Sequence, residues 1–151
     1  MPLGGTQVNK TNQMHLSFSS RPENESFARV AVSAFLVQLN PTLEEINDVK
    51  TAVSEAVTNA IVHGYPRGAD GEIRLAVKLL PDDCAAEILV SDDGVGIENV
   101  EQAMQPFYTT QPEMERSGMG FSVMQSFMDE LRVESAPGEG TRVFMKKQFE
   151  G

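Results

Sequence analysis

From Thr42 to His63 the chain reads TLEEINDVKTAVSEAVTNAIVH, with apolar residues recurring at helical spacing for about six turns. A helix this apolar has to lie against other elements, so it sets the frame for the rest of the fold. Its ends are marked as well: Thr42 stands at a cap position with Glu45 where a capping box needs it, and Gly64, Pro66 and Gly68 stop the helix. Within it, Glu55, Asn59 and His63 follow at four-residue steps, which places them on one edge, roughly 40° apart in projection. Such an edge is either a solvated face or a set of groups aimed at one ligand.

The neighbouring segments alternate in type. QMHLSFSS alternates like a strand and ends at SRPENESF, whose proline and polar residues offer a helix start, so a helix is expected from Glu23 to about Leu39. GEIRLAVKLL and CAAEILVSDD read as strands joined by a turn at Pro81, Asp82 and Asp83. A stretch rich in glycine, proline and threonine runs from Gly94 to Ser117. GMGFSVMQSFMDE is helical, and LRVESAPGEGTRVFMKKQF is a hairpin around Pro137 to Gly140. This order predicts an α+β fold: a two-layer α/β sandwich with helices on one face of a mixed, mostly antiparallel sheet. At 151 residues the chain forms one domain, expected over 13–151, behind a flexible extension over 1–12.

Charge and cysteine content exclude several classes. A net charge of −10 repels phosphate backbones, so no direct nucleic-acid contact is expected, and any bound anion needs a local site. The single cysteine, Cys84, rules out an internal disulfide framework. No apolar run reaches membrane-spanning length and MPLGGTQVNK lacks the apolar core of a secretory signal, so a cytoplasmic protein with no membrane contact is expected.

The Glu-Asn edge suits one chemistry well. The amide oxygen of Asn59 is a neutral hard ligand for Mg²⁺ whose other ligands are water and phosphate oxygens, and the Glu55 carboxylate beside it can hold or deprotonate an attacking hydroxyl. SDDGVGIE puts Asp92 at the end of a strand, followed by Gly94 and Gly96: a plain glycine turn, or a place where backbone approaches a flat ring and a carboxylate accepts the exocyclic amine of adenine. RSGMGF opens the third helix with Ser117, Gly118 and Gly120, leaving backbone N–H groups free for phosphate, with the Arg116 cation just ahead. No Walker-type G-x-x-x-x-G-K-[ST] occurs.

E-x-x-x-N on a helix, D-x-G-x-G after a strand, G-x-G at a helix start and Gly140-Thr141 in a late hairpin together resemble the ATP-binding fold of gyrase B, the Hsp90 chaperones, histidine kinases and MutL repair proteins. NESFARV, SEAVTNAIVHGY, DDGVGI, ERSGMGF and FMDE are more narrowly similar to the anti-sigma-F factor family of endospore-forming bacteria, from Met14 to about Lys147. The resemblance implies a dimeric, ATP-dependent serine kinase that holds a sigma factor away from RNA polymerase and phosphorylates an anti-anti-sigma protein. It implies Glu55 as catalytic base, Asn59 as Mg²⁺ ligand, Asp92 as adenine reader and Arg116 as a γ-phosphate contact acting in catalysis. It also implies Thr109, Thr110 and Ser117 to Gly120, with Met119, as lid and phosphate clamp, and His63, Gly64, Gly94, Gly96, Ile97, Phe121 and Thr141 around the ATP or ADP. Gln111 stands where the family often carries lysine. Arg29 is implied to face protein partners.

Between Ser26 and Leu43 the only formal charge is Arg29, and apolar residues cover more than one face. This helix is either fully buried or has one face on the sheet and part of another at a subunit interface. Besides the kinase reading, a histidine-kinase catalytic domain is disfavoured, because neither His15 nor His63 lies in a long dimerising helix ahead of the ATP motifs. A non-catalytic, nucleotide-gated binding module and a stress-response anti-sigma factor kinase stay open.

Overall fold

The computed structural model describes residues 11–105 and 120–150. Strand β1 (Asn12–Ser19) is followed by helices α1 (Glu23–Leu36) and α2 (Leu43–Asn59), then strands β2 (Glu72–Leu80) and β3 (Ala85–Asp92). A short helix α3 (Val100–Ala103), helix α4 (Gly120–Phe127) and strands β4 (Glu130–Ser135) and β5 (Thr141–Gln148) complete it. Of the expected extension, 1–10 lie outside the described residues, and Asn12 already pairs with Leu79.

The sheet order is β1-β2-β3-β5-β4, and all four pairings are antiparallel. The sheet is thus antiparallel throughout the described residues rather than mixed, and the connections explain why. β2–β3 and β4–β5 are hairpins, while two helices between β1 and β2 return the chain to the end it left, where Ser20 N–H bonds to Gly71 O at 3.0 Å. One face of the sheet is the core: Ile73, Leu75, Val77 and Leu79 of β2 and Ile88 and Val90 of β3 are at most 2% exposed. The helices cover that face.

Helix α1 buries the stripe Ala28, Val32 and Leu36, whereas Phe27, Val30 and Val37 are 54%, 58% and 57% exposed. Of the two readings, complete burial is therefore excluded. Its last turn, expected to be α-helical to Leu39, tightens to a 3₁₀ turn over Val37–Leu39 that closes on Asn40 at φ 51°, a left-handed position asparagine tolerates.

Helix α2 begins as its sequence requires. Glu45 N–H donates to Thr42 Oγ1 at 3.1 Å and Thr42 N–H to Glu45 Oε1 at 2.8 Å. The second Glu45 oxygen accepts from Glu150 N–H at 2.9 Å, so the buried cap also fastens the far end of the chain. Burial pushes the Glu45 carboxyl up, but the Thr42 and Glu150 amides, the Thr42 hydroxyl and the Lys147 charge outweigh it and hold its pKa below the usual 4.5. Glu45→Ala, which strands both amides, should cost about 1–2 kcal/mol at pH 7 in urea unfolding. Since the native pKa lies below the unfolded one, the contribution is present above pH 4.5 and fades as pH falls through the native value. The gap between variant and wild type should narrow in the same acid range.

At its other end α2 does not run on as an α-helix to His63. Ala60–Gly64 form a π turn, with Tyr65 N–H reaching back to Ala60 O at 3.2 Å. The wider turn leaves the Gly64 carbonyl to accept Val95 N–H at 2.9 Å, tying the helix end to the loop after β3.

Candidate functional site

A cavity of about 490 Å³ opens between α2 with its π turn, the ends of β3 and β5, the loop after β3 and the start of α4. Asn59, His63, Gly64, Asp92, Gly96, Ile97, Gly120, Phe121 and Thr141 all line it. Residues more than 80 positions apart in sequence, Asn59 and Thr141 among them, thus share one wall.

Asp92 is the buried polar group of this cavity, 5% exposed at the end of β3. Burial pushes its carboxyl above the ordinary aspartate range, partly opposed by the Gly94 and Thr141 amides that donate to it, the first at 2.8 Å. The loop behind it leaves no room for side chains: a Cβ on Gly94 would stand 1.9 Å from the Gly64 carbonyl oxygen. Gly140 has φ +77°, and a Cβ there would lie 2.0 Å from the Asp92 carbonyl oxygen. Gly94 itself is therefore behind the cavity wall and shapes it from there. Tyr65, 9% exposed, holds the same loop: its hydroxyl donates to Glu72 O at 2.8 Å and accepts Asp93 N–H at 2.8 Å. Arg74 fixes the Asp93 side chain with two bonds of 2.8 and 3.0 Å.

Asn59 lines the same cavity and stands against Gly120 of α4. A Cβ on Gly120 would lie 2.9 Å from Asn59 Nδ2 and 3.2 Å from Oδ1, so a larger residue there would push the Asn59 amide aside. Among the described residues no group of three or more His, Cys, Asp or Glu side chains could hold a metal ion. A Mg²⁺ ion fits here as a cation that takes one oxygen from Asn59 and the rest from water and phosphate.

The structure does not bring every expected residue to the wall. Glu55, one turn before Asn59 and half-buried, does not line the cavity. Arg29 lies on α1, 3.6 Å from Glu25 and bonded to Ser26 Oγ at 3.1 Å. Thr109, Thr110, Gln111, Arg116, Ser117, Gly118 and Met119 lie outside the described residues. Conversely, Val90, Val143, Val95, Asn99 and Gln102 line the cavity without having been foreseen. Strand alternation could have found Val90 and Val143, two residues from Asp92 and Thr141. Asn99 and Gln102 belong to α3 and its cap, hidden in a stretch that reads as loop.

A cavity lined by a buried carboxylate and an amide set against α4, with helices over one face of an antiparallel sheet, is the arrangement of a nucleotide-binding domain of the histidine kinase-like ATPase class. The family model of that name, Histidine kinase-like ATPase domain, matches residues 18–147. The fold agrees with the RsbU and RsbW domains of a Mycobacterium tuberculosis protein: TM-score 0.65, 19% identity, 91% of this chain and 32% of that one. A blue-light activated histidine kinase of Erythrobacter litoralis aligns at TM-score 0.53 and 24% identity, over 70% of this chain and 45% of that one. Within the class the sequence is specific. It is 59% identical over 138 residues to the anti-sigma F factor of Clostridium novyi, covering 91% of this chain and 95% of the relative, and 54% identical to that of Priestia megaterium, covering 91% and 93%. The chain belongs to the anti-sigma F factor family. No helix of the described residues is long and apolar enough to cross a membrane.

Proposed function

We propose that the protein is an ATP-dependent serine kinase and anti-sigma factor, which holds a sigma factor of the sigma-F type and phosphorylates its anti-anti-sigma antagonist on serine. The observation that carries this reading is that one cavity is lined both by the buried Asp92 and by Asn59, which stands beside Gly120 of α4. Its volume and chemistry suit a nucleotide lying with its base on Asp92 and its phosphates at Asn59. The name shared by the curated relatives supports the sigma-factor partner.

In this reading Asp92 accepts the exocyclic amine of adenine, and His63, Gly96, Ile97, Phe121 and Thr141 enclose the nucleotide. Mg²⁺, when bound, neutralises and orients the phosphates, with Asn59 as its protein ligand. Glu55 holds the substrate serine and takes its proton as Oγ bonds to the γ-phosphorus of ATP and the bond from that phosphorus to the ADP oxygen breaks. Arg116, Thr109, Thr110 and Ser117 to Gly120 serve as the contacts to the phosphates. Arg29 faces the protein partners, and the exposed apolar residues of α1 pair with a second copy in a cytoplasmic homodimer.

Asp92 gives this assignment a test with two readouts. Asp92→Asn weakens a charge-assisted bond to adenine, so affinity for ATP and ADP should fall about 10- to 100-fold by calorimetry. Stability moves the other way. A native pKa above the ordinary 3.8 means that folding favours the protonated carboxyl, so wild type loses stability as pH rises from 3.8 through the native value. The uncharged variant escapes this loss, and nucleotide-free Asp92→Asn should gain in melting temperature relative to wild type over that range and keep the gain at pH 7. A variant that binds ADP normally would remove Asp92 from the base pocket.

The reading as a whole is tested by incubating the protein with γ-labelled ATP, a sigma-F-type factor and an anti-anti-sigma protein. Label on a serine of the antagonist, and release of the sigma factor, are expected. The position of Glu55 off the cavity wall favours one alternative, a nucleotide-gated binding module without transfer. In that case the sigma factor binds in a nucleotide-dependent way and no label moves.

A further inference from the structure

Lys147 is a mostly buried cation, 14% exposed, on the last strand of the sheet. Its Nζ donates to the Phe127 carbonyl at 2.9 Å and stands 3.6 Å from Asp48 Oδ2. Phe127 is the last residue of α4, and Asp48 lies on α2, about two turns ahead of Glu55. One ammonium thus joins the C-terminal end of α4 to the helix that carries the Glu55 and Asn59 edge. It sits where a cation satisfies a terminal carbonyl and complements the helix dipole.

The other end of α4 meets the same helix. Gly120 abuts the Asn59 amide, where a Cβ would approach to 2.9 Å. Between the two ends α4 buries Phe121 and Met124, with Met128 just beyond it. Methionine side chains adapt to small shifts, so Met124 and Met128 tolerate small displacements of α4. Beyond favouring the ionised Glu45 carboxylate, stability gives little reason for a buried charge here, since an apolar residue of similar volume packs as well without desolvating an ammonium.

We propose that Lys147 is a positioning residue: by clamping Phe127 to Asp48 it sets the register of α4 on α2, and with it the placement of the α4 N-terminus against Asn59 at the phosphate end of the cavity. This rests on the nucleotide reading of that cavity. The base end is built on the last residue of β3, Asp92, and the first of β5, Thr141, with the loop tied to Gly64; Lys147 lies six residues further along β5, paired with Ala86 rather than with Asp92. Loss of the clamp therefore shifts the phosphate end and leaves the base end in place.

NMR titrations with adenosine and with Mg·ATP separate the two ends. Lys147→Met, which keeps the apolar stem and removes the charge, should lose at least about tenfold in Mg·ATP affinity and bind adenosine as wild type does. Lys147→Arg should recover most of the loss. A wild-type ratio of the two affinities in Lys147→Met, or an equal loss of both, overturns the proposal. Should Lys147→Met not fold, Asp48→Asn loosens one arm of the same clamp while the carbonyl bond stays, and its ratio should fall by a smaller factor; an unchanged ratio there is equally decisive against the clamp. Wild-type protein that binds neither ligand overturns the nucleotide reading, and the clamp with it.

Discussion

Replacing Asn59 with alanine should lower Mg·ATP affinity by at least about 100-fold, with most of the loss confined to the Mg²⁺-dependent part. Magnesium dehydrates reluctantly and accepts few protein ligands, so a single amide oxygen at the right place matters more than its count suggests. The nearby cavity residues on the same helix, Ala56 and Ala60, are apolar and offer no replacement. The alanine variant also loses the amide against which Gly120 is set, so α4 can approach differently. Calorimetry with ATP in the presence of Mg²⁺ and of EDTA separates these effects: the metal assignment requires that the two curves coincide in Asn59→Ala and differ in wild type. Unchanged Mg²⁺-dependent binding would remove Asn59 from the metal site.

The second large effect lies in chemistry rather than binding. Glu55→Gln preserves the shape of the side chain and removes its capacity to take a proton, and phosphoryl transfer to the antagonist should fall about 10²-fold or more. ATP affinity should stay near wild type, because Glu55 does not line the cavity that encloses the nucleotide. That same placement makes the experiment sharp. A base one turn from Asn59, off the cavity wall, has to meet the serine hydroxyl arriving with the protein substrate, not the nucleotide alone. Normal single-turnover transfer by Glu55→Gln refutes the role; loss of transfer together with loss of ATP binding assigns Glu55 to the pocket instead.

Much of the fold could be read from the chain because its signals are local. Thr42 and Glu45 are three residues apart, and their reciprocal bonds form as soon as that turn is helical, so the capping box was legible. The strands β2 and β3 were legible for a similar reason: alternation over eight or nine residues dictates which side chains face the core. The motifs at Asn59, Asp92 and Gly120 were recognisable as types. Nothing in their spacing said how far apart they lie in space.

What the sequence determined on its own was the type of each element, the turns and caps between neighbours, and the few polar positions out of keeping with an apolar surface; each depends on residues within a turn or a strand of one another. The tertiary structure decided the rest. The π turn at Ala60–Gly64 answers to Val95 in the loop after β3, whose N–H donates to the Gly64 carbonyl. Glu45 answers to Glu150, which supplies the second bond to its carboxylate from 105 residues away. Gly94 and Gly140 are glycines because distant carbonyls occupy the space a Cβ would need. Whether Glu55 faces the cavity or stands beside it depended on how α2 settles against β3 and α4. Such contacts join segments whose separation along the chain carries no distance information until hydrophobic burial has folded the helices onto the sheet.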